Sequence, residues 1–416
     1  MSIREFLSAN LRAANINEIS DLICNYYNVP SVAGIRTEDK LDALCIAEGI
    51  SRQEMDEMIA NNPPAIRTIK GHVFEVIFSK ILQINDIPHV DIGGDTDVDF
   101  EILGHSLQLK TPYVNGCTPT AMAYKTHKTH GAKSESESVG YYQLAEAFAD
   151  YLVGLISYDP FTVFVIPNQD IPRLPSDPRY LASPFLFGFD REEYINNFHQ
   201  LGINDDIMYP QIINLGNREL LPMTAELIGV RSNYIIDAIF VPNNFRIWDM
   251  NLRGFIREQH IKKMVRDYGL CMFDPRDITS RPEKVDLVLK NTYDEYVRFQ
   301  IKGLTFNSSR FKGLDSEICC ETQLSRGRVN DHPTQSRLYL KTDFDELLIA
   351  MDPAYTNTFS EECFGQSDFA WSFYSIPTNE LKEHHLFSSR LASSQYISFR
   401  ELQQYRIGDD WFYSWS

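Results

Sequence analysis

The chain has 416 residues, 43% of them hydrophobic and 23% charged, a balance that belongs to folded domains and excludes a disordered polymer. One ordinary core does not serve so long a chain, so two or more domains are expected. The net charge of −18 excludes wholesale coating of nucleic acid, and any duplex partner must be met by clustered Lys and Arg, with salt-sensitive binding.

The N-terminal stretch MSIREFLSANLRAANINE carries an early acid and lacks the apolar core of a signal peptide. No apolar run is long enough to span a membrane. A cytoplasmic, bacterial-type intracellular protein without a membrane partner is expected. Seven cysteines, with Cys319 and Cys320 adjacent and no Cys-x-x-Cys pair, indicate neither a disulfide framework nor a zinc site.

Helices are expected first. Cys45, Gly49 and Met55 have the spacing of a helix-turn-helix, with a Gly in the turn. The second helix would present Arg52 and Gln53, residue types that hydrogen-bond base edges. Plain helix packing explains the same spacing. A helix over 71–84 follows, with Val73, Ile77, Ile81 and Leu82 at helical spacing and Glu75 near its start. Then comes DFEILGHSLQLK, Asp99 to Lys110, read as two strands turned at Gly104-His105. A loop with Lys125, Lys128 and Lys133, in which His127 and His130 are interleaved, leads to a helix expected around Tyr142 to Ala149. The apolar runs YLVGLIS and FTVFVIP complete a mixed sheet flanked by helices, an α/β arrangement.

The chain then repeats itself in the same order. KGHVFE (Lys70 to Glu75) recurs as RGFIRE (Arg253 to Glu258), VDFEI as VDLVL, QLK as QIK, and FADYLVGLIS as FDELLIAMD. FTVFVIP resembles WSFYSIP, and LAS at 181–183 recurs at 391–393. Upstream, Ala225, Gly229 and Ile235 restate the helix-turn-helix spacing, with Arg231, Ser232 and Asn233 on its second helix. A tandem duplication is expected. Its parts are helical segments at 1–67 and 201–252, each followed by a sheet domain, 68–200 and 253–416. Basic residues after the second lysine, Arg310, Lys312, Arg326, Arg328 and Arg337, either join the lysines of the first loop in a DNA channel or are scattered solvated charges.

Residues two apart on a strand share a face, so Gln108 and Lys110 project together. Asp99 opens the adjoining strand and Glu75 approaches from the helix. The second copy offers Glu258, Asp286, Gln300 and Lys302 in the same order. Asp97 rivals Asp99, but Lys284 stands at its place in the second copy, so the repeat favours Asp99. Two carboxylates and an amide oxygen are hard ligands suited to Mg²⁺. A neighbouring lysine offsets charge on a phosphorane-like transition state or helps to deprotonate water. The chemistry this equips is phosphodiester hydrolysis.

The order Glu, Asp, Gln-x-Lys resembles the PD-(D/E)xK nuclease superfamily, in the Gln-x-Lys variant found among type II restriction endonucleases and Mrr-like enzymes. By that resemblance the metal-binding aspartate is Asp99 and Asp286, and the second acidic position is filled by Gln108 and Gln300. The lysine is Lys110 and Lys302, and the helix glutamate is Glu75 and Glu258. Val98 and Val285 stand where the family has Pro. The resemblance implies two tandem copies of a restriction-endonuclease-like mixed sheet. It also implies sequence-specific, Mg²⁺-dependent hydrolysis of double-stranded DNA by a monomer acting as a pseudo-dimer, one active site per half, with a cognate DNA methyltransferase as functional partner. The alternatives are an Mrr-like modification-dependent or repair nuclease, and a non-catalytic DNA-binding protein with a nuclease-like fold.

Overall fold

The computed structural model describes residues 1–92, 98–113, 116–126, 143–204, 206–213, 219–241, 246–305, 313–323 and 337–415. The protein is mixed α/β. Two compact units are formed, one by residues 1–58 with 248–416 and the other by 59–247. This cuts across the linear division at residue 200. The first helical segment packs with the second sheet, and the second helical segment with the first.

Helices α1 (Ile3–Asn10), α2 (Ile16–Tyr27), α3 (Thr37–Ala47) and α4 (Arg52–Ala60) open the chain. Ser2 starts α1 with a reciprocal capping box to Glu5. The indole of the fully buried Trp248 donates to Ala14 O at 3.1 Å, and Asn357 donates to Ser8 O at 3.0 Å. These long-range bonds, with the apolar faces behind them, tie α1 and α2 to the C-terminal part of the chain.

In the 59–247 unit, α5 (Pro63–Ile84) starts earlier than periodicity indicates. Asn62 caps it by accepting from Ala65 N–H, and Pro63 suits the first helical position. Val73, Phe74, Ile77, Phe78, Ile81 and Leu82 are buried along one face. The strands are β1 (His89–Asp91), β2 (Phe100–Ile102), β3 (His105–Lys110), β4 (Ala121–Tyr124), β5 (Tyr151–Tyr158), β6 (Phe161–Pro167), β7 (Arg173–Leu174), β8 (Asp177–Leu181) and β9 (Phe185–Gly188). The main sheet runs β1-β2-β3-β5-β6, with β3 and β5 parallel and the other pairs antiparallel. Helices α6 (Pro222–Ile228) and α7 (Ser232–Ile239) follow, joined through Gly229 at φ +86°.

In the other unit come α8 (Arg253–Asp267), α9 (Pro275–Ile278), β10 (Leu287–Lys290), β11 (Tyr296–Thr305), β12 (Glu317–Glu321), β13 (Glu346–Met351), α10 (Pro353–Phe364), β14 (Ser372–Pro377), β15 (Ser394–Ser398), α11 (Phe399–Leu402) and α12 (Asp409–Phe412). Strands β10, β11, β13 and β14 pair in sequence, and β11 and β13 are the parallel pair. The order and directions match β2, β3, β5 and β6 of the first sheet.

Two expected local structures differ. The hairpin turns at Leu103-Gly104, both at positive φ, rather than at Gly104-His105, because Ile102 pairs with His105. The helix expected around Tyr142 to Ala149 is a single 3₁₀ turn, Ala145–Ala147, among its described residues. Gln143 O accepts from Leu181 N–H at 2.9 Å and Leu144 bridges to Tyr180, so tertiary pairing draws this stretch out. Among the described residues, no helix is long and apolar enough to cross a membrane.

Candidate active site

Each site is built on a hairpin whose second strand lies parallel to its neighbour. Gln108 stands beside Leu152 and Lys110 beside Gly154; Gln300 stands beside Leu347 and Lys302 beside Ile349. The aspartates sit just before the first strand of each hairpin. Asp99 N–H donates to Leu107 O at 2.8 Å, and Asp286 N–H donates to Phe299 O at 2.9 Å.

The side-chain bonds repeat in kind. Gln108 Nε2 and Leu109 N–H donate to Asp99 Oδ2 at 2.5 and 2.6 Å. Gln300 Nε2 and Ile301 N–H donate to Asp286 Oδ2, the latter at 2.8 Å. With the amide nitrogen so engaged, the amide oxygen is the group left for another partner. Gln300 Oε1 is enclosed and has no hydrogen-bond partner.

Electrostatics draw the four side chains of each set into one neighbourhood. Burial pushes Asp99 up to about 7; the Lys110 ammonium opposes this and Glu75 adds to it. Burial likewise pushes Asp286 up to about 6, with Lys302 opposing and Glu258 adding. Glu75 and Glu258 reach these points from α5 and α8, where each has a helical neighbour. His72 Nδ1 lies 3.1 Å from Glu75 Oε2, and Lys262 forms an ion pair with Glu258.

Sequence reasoning missed several neighbours. Asp91, at the end of β1, is pushed up by burial and then by Glu75. Lys302 Nζ lies 5.3 Å from the centroid of the buried Tyr339 ring, and Lys284 Nζ lies 5.2 Å from the same centroid. Burial acts against the Lys302 charge, but Tyr339 and Asp286 outweigh it and hold the ammonium above its ordinary range. Spacings of three and four residues on a helix could have flagged His72 and Lys262. No sequence signal marks Tyr339, which arrives from a distant segment.

The residues expected to contact DNA are mostly engaged within the fold. Arg52 pairs with Asp42 through two bonds of 2.6 and 2.9 Å, and Gln53 donates to Glu57 at 2.9 Å. Arg231 lies 3.9 Å from Glu219 and donates to Gln211 at 3.4 Å. Ser232 is only 1% exposed, and its hydroxyl accepts from Leu221 N–H, so packing rather than groove contact explains this position. Asn233 Oδ1 is enclosed without a partner. Lys125 Nζ lies 4.1 Å from the centroid of the Tyr113 ring. His105, expected in the turn, is instead the first residue of β3 and packs edge-on against Tyr151. Lys128, Lys133, Arg310, Lys312, Arg326 and Arg328 lie outside the described residues, as do Asp97, His127 and His130.

No family model, curated protein or solved structure matches the chain. The site must therefore be read from its own chemistry. Among the described residues, no group of three or more His, Cys, Asp or Glu side chains is arranged to hold a metal. Each set offers two carboxylates and one amide oxygen. That donor set is all hard oxygen and, with the unpartnered Gln300 Oε1, fits a divalent cation that keeps several of its waters, as Mg²⁺ does.

Proposed function

We propose that the protein is a Mg²⁺-dependent endodeoxyribonuclease of the PD-(D/E)xK type, a tandem duplication whose two sites each hydrolyse one strand of double-stranded DNA. The observation that carries this reading is the recurrence of one bonding pattern. In each hairpin a Gln amide and the next backbone N–H grip a single oxygen of the aspartate, with a Lys and a helix Glu within electrostatic reach. A packing role does not require four polar side chains to return together in two diverged copies.

In this reading Asp99, Glu75 and the Gln108 oxygen would hold the cation in one site, and Asp286, Glu258 and the Gln300 oxygen in the other. The bound cation supplies Lewis-acid polarisation of the phosphate and lowers the pKa of water. The Gln amides and backbone N–H groups orient the aspartates, fixing which oxygen faces the reacting phosphate. Lys110 and Lys302 place positive charge where the transition state gains negative charge. Two sites in one chain let a monomer act as a pseudo-dimer on a site that need not be palindromic. Restriction is the role that suits such an enzyme, and a cognate methyltransferase would protect the host.

Incubation with phage and plasmid DNA, with and without Mg²⁺, tests the reading. Discrete fragments are expected only with the metal. Asp99→Ala and Asp286→Ala should each leave a nickase, acting on opposite strands, and the double variant should be inactive. Complete double-strand cutting by either single variant would refute the two-site scheme. Specific binding without any cleavage would instead indicate a DNA-binding protein.

A further inference from the structure

The two sites share four side chains but differ in what supports the lysine. Main-chain bonds define equivalent positions next to the hairpins. Gln143 O accepts from Leu181 N–H and Tyr339 O accepts from Leu391 N–H, both at 2.9 Å. Leu181 and Leu391 open the two LAS repeats, and both are fully buried. Thr126 Oγ1 and Thr322 Oγ1 then donate to the next residues, Ala182 O and Ala392 O, both at 2.6 Å. Gln143 and Tyr339 therefore occupy the same place in two copies of one framework. Both side chains are buried, at 3% and 1% exposure. One is an amide whose Nε2 is enclosed and unpartnered. The other is a phenol against which Lys302 rests, with Lys284 also near the ring.

We propose that Tyr339 is a positioning residue for Lys302, an aromatic support at the place where the framework of the Asp99 site carries the Gln143 amide. The proposal rests on the nuclease reading given above. A lysine has four rotatable side-chain bonds, and leaving it unconstrained next to a reacting phosphate forfeits orientation. Tyr339 limits that freedom through its buried ring, whose centroid lies 5.3 Å from the ammonium and whose face attracts the charge. Burial keeps the Tyr339 phenol above its ordinary pKa, with Lys302 opposing. The sites are thus chemically unequal, and the two strands should be cut at different rates.

Tyr339→Leu is the test, because it removes the aromatic ring and leaves an apolar side chain. Each strand is followed separately on an end-labelled duplex. For the strand cut by the Asp286 site, kcat should fall about tenfold, the size of one lost desolvated cation–π contact, with KM unchanged. The other strand should be cut at the wild-type rate, which provides an internal control for folding. In parallel, acetylation of Lys302 by acetic anhydride, read by mass spectrometry without DNA or metal, should be faster in Tyr339→Leu than in the wild type, while Lys110 is unchanged. A wild-type kcat for the Asp286-site strand in Tyr339→Leu, or unaltered Lys302 acetylation, would overturn the proposal. Should the wild type cut no DNA, the nuclease reading fails, and the acetylation arm still decides whether Tyr339 restrains Lys302.

Discussion

Gln108 donates its side-chain amide to Asp99 Oδ2 at 2.5 Å, and the backbone N–H of Leu109 donates to that same oxygen at 2.6 Å. Neither bond uses Oδ1. A carboxylate gripped on one side only presents its other oxygen in a fixed direction, and a ligating carboxylate needs that orientation. Gln108→Leu removes both the grip and the amide oxygen. The Mg²⁺ concentration giving half-maximal nicking of one strand is expected to rise about 10- to 100-fold, the usual cost of losing such support. Gln300→Leu should do the same on the opposite strand. Metal titration of strand-resolved nicking checks both.

Both aspartates should impose acid limits on cutting that lie above the ordinary carboxylate range. A carboxyl must be ionised to accept a cation, so activity is lost as pH falls through its pKa. Burial pushes Asp99 up to about 7 and Asp286 up to about 6. At sub-saturating Mg²⁺, cutting of both strands should fail as pH drops through this range. More Mg²⁺ should move both limits to lower pH, because binding competes with protons. Plasmid conversion measured across pH 5.5 to 8 decides; full activity down to pH 5.5 at sub-saturating Mg²⁺ would count against these carboxylates as cation ligands.

A buried ionic cluster is built on the first residue of α8, the helix that carries Glu258. Arg253 pairs with Asp352, lies 3.2 Å from Glu48 Oε1 and lies 3.5 Å from Asp249. Asp352 also caps α10 by accepting from Tyr355 N–H at 3.0 Å. Arg253→Met removes the cation paired with Asp352 and leaves that carboxylate buried with only the coulombic pull of Arg257, and a loss of roughly 3–5 kcal/mol is expected for such a broken buried pair. Urea denaturation, followed by tryptophan fluorescence, measures it.

Glu48 in the same cluster gives a pH effect of defined sign. Burial raises it from the ordinary carboxylate range to about 7, against the opposing pull of Arg253. The folded state therefore holds a proton that the unfolded state releases, and this contribution to stability declines as pH rises from the ordinary glutamate range through about 7. Glu48→Gln cannot titrate. Its melting temperature should fall less than that of the wild type between pH 5 and 8, read by calorimetry at matched ionic strength.

Gly303, directly after Lys302, is a packing constraint on the same site. A Cβ there would lie 2.2 Å from the Arg257 guanidinium, whose Nε is enclosed. Gly303→Ala should cost about 1–3 kcal/mol through overpacking and slow the strand cut by the Asp286 site. Shortening Arg257 in the double variant Gly303→Ala, Arg257→Ala should relieve the clash, which a double-mutant cycle would register.

Much of the framework was legible in the residues themselves. Two-residue alternation put Gln108 with Lys110 and Gln300 with Lys302 on one strand face, and helical spacing located α5 and the glycine-linked pair α6 and α7. These are local periodicities, fixed by the geometry of a strand or a helix turn and carried by neighbouring residues. The repeat multiplied their weight by showing the same polar set twice. Tertiary structure alone decided the rest. It paired residues 1–58 with 248–416, stretched the segment after Gln143 against Leu181, and brought Tyr339 to Lys302. Each of those depends on burying apolar surface between segments far apart in the chain, and hydrophobic burial is non-directional. Periodicity shows which face will be covered. It does not say by what.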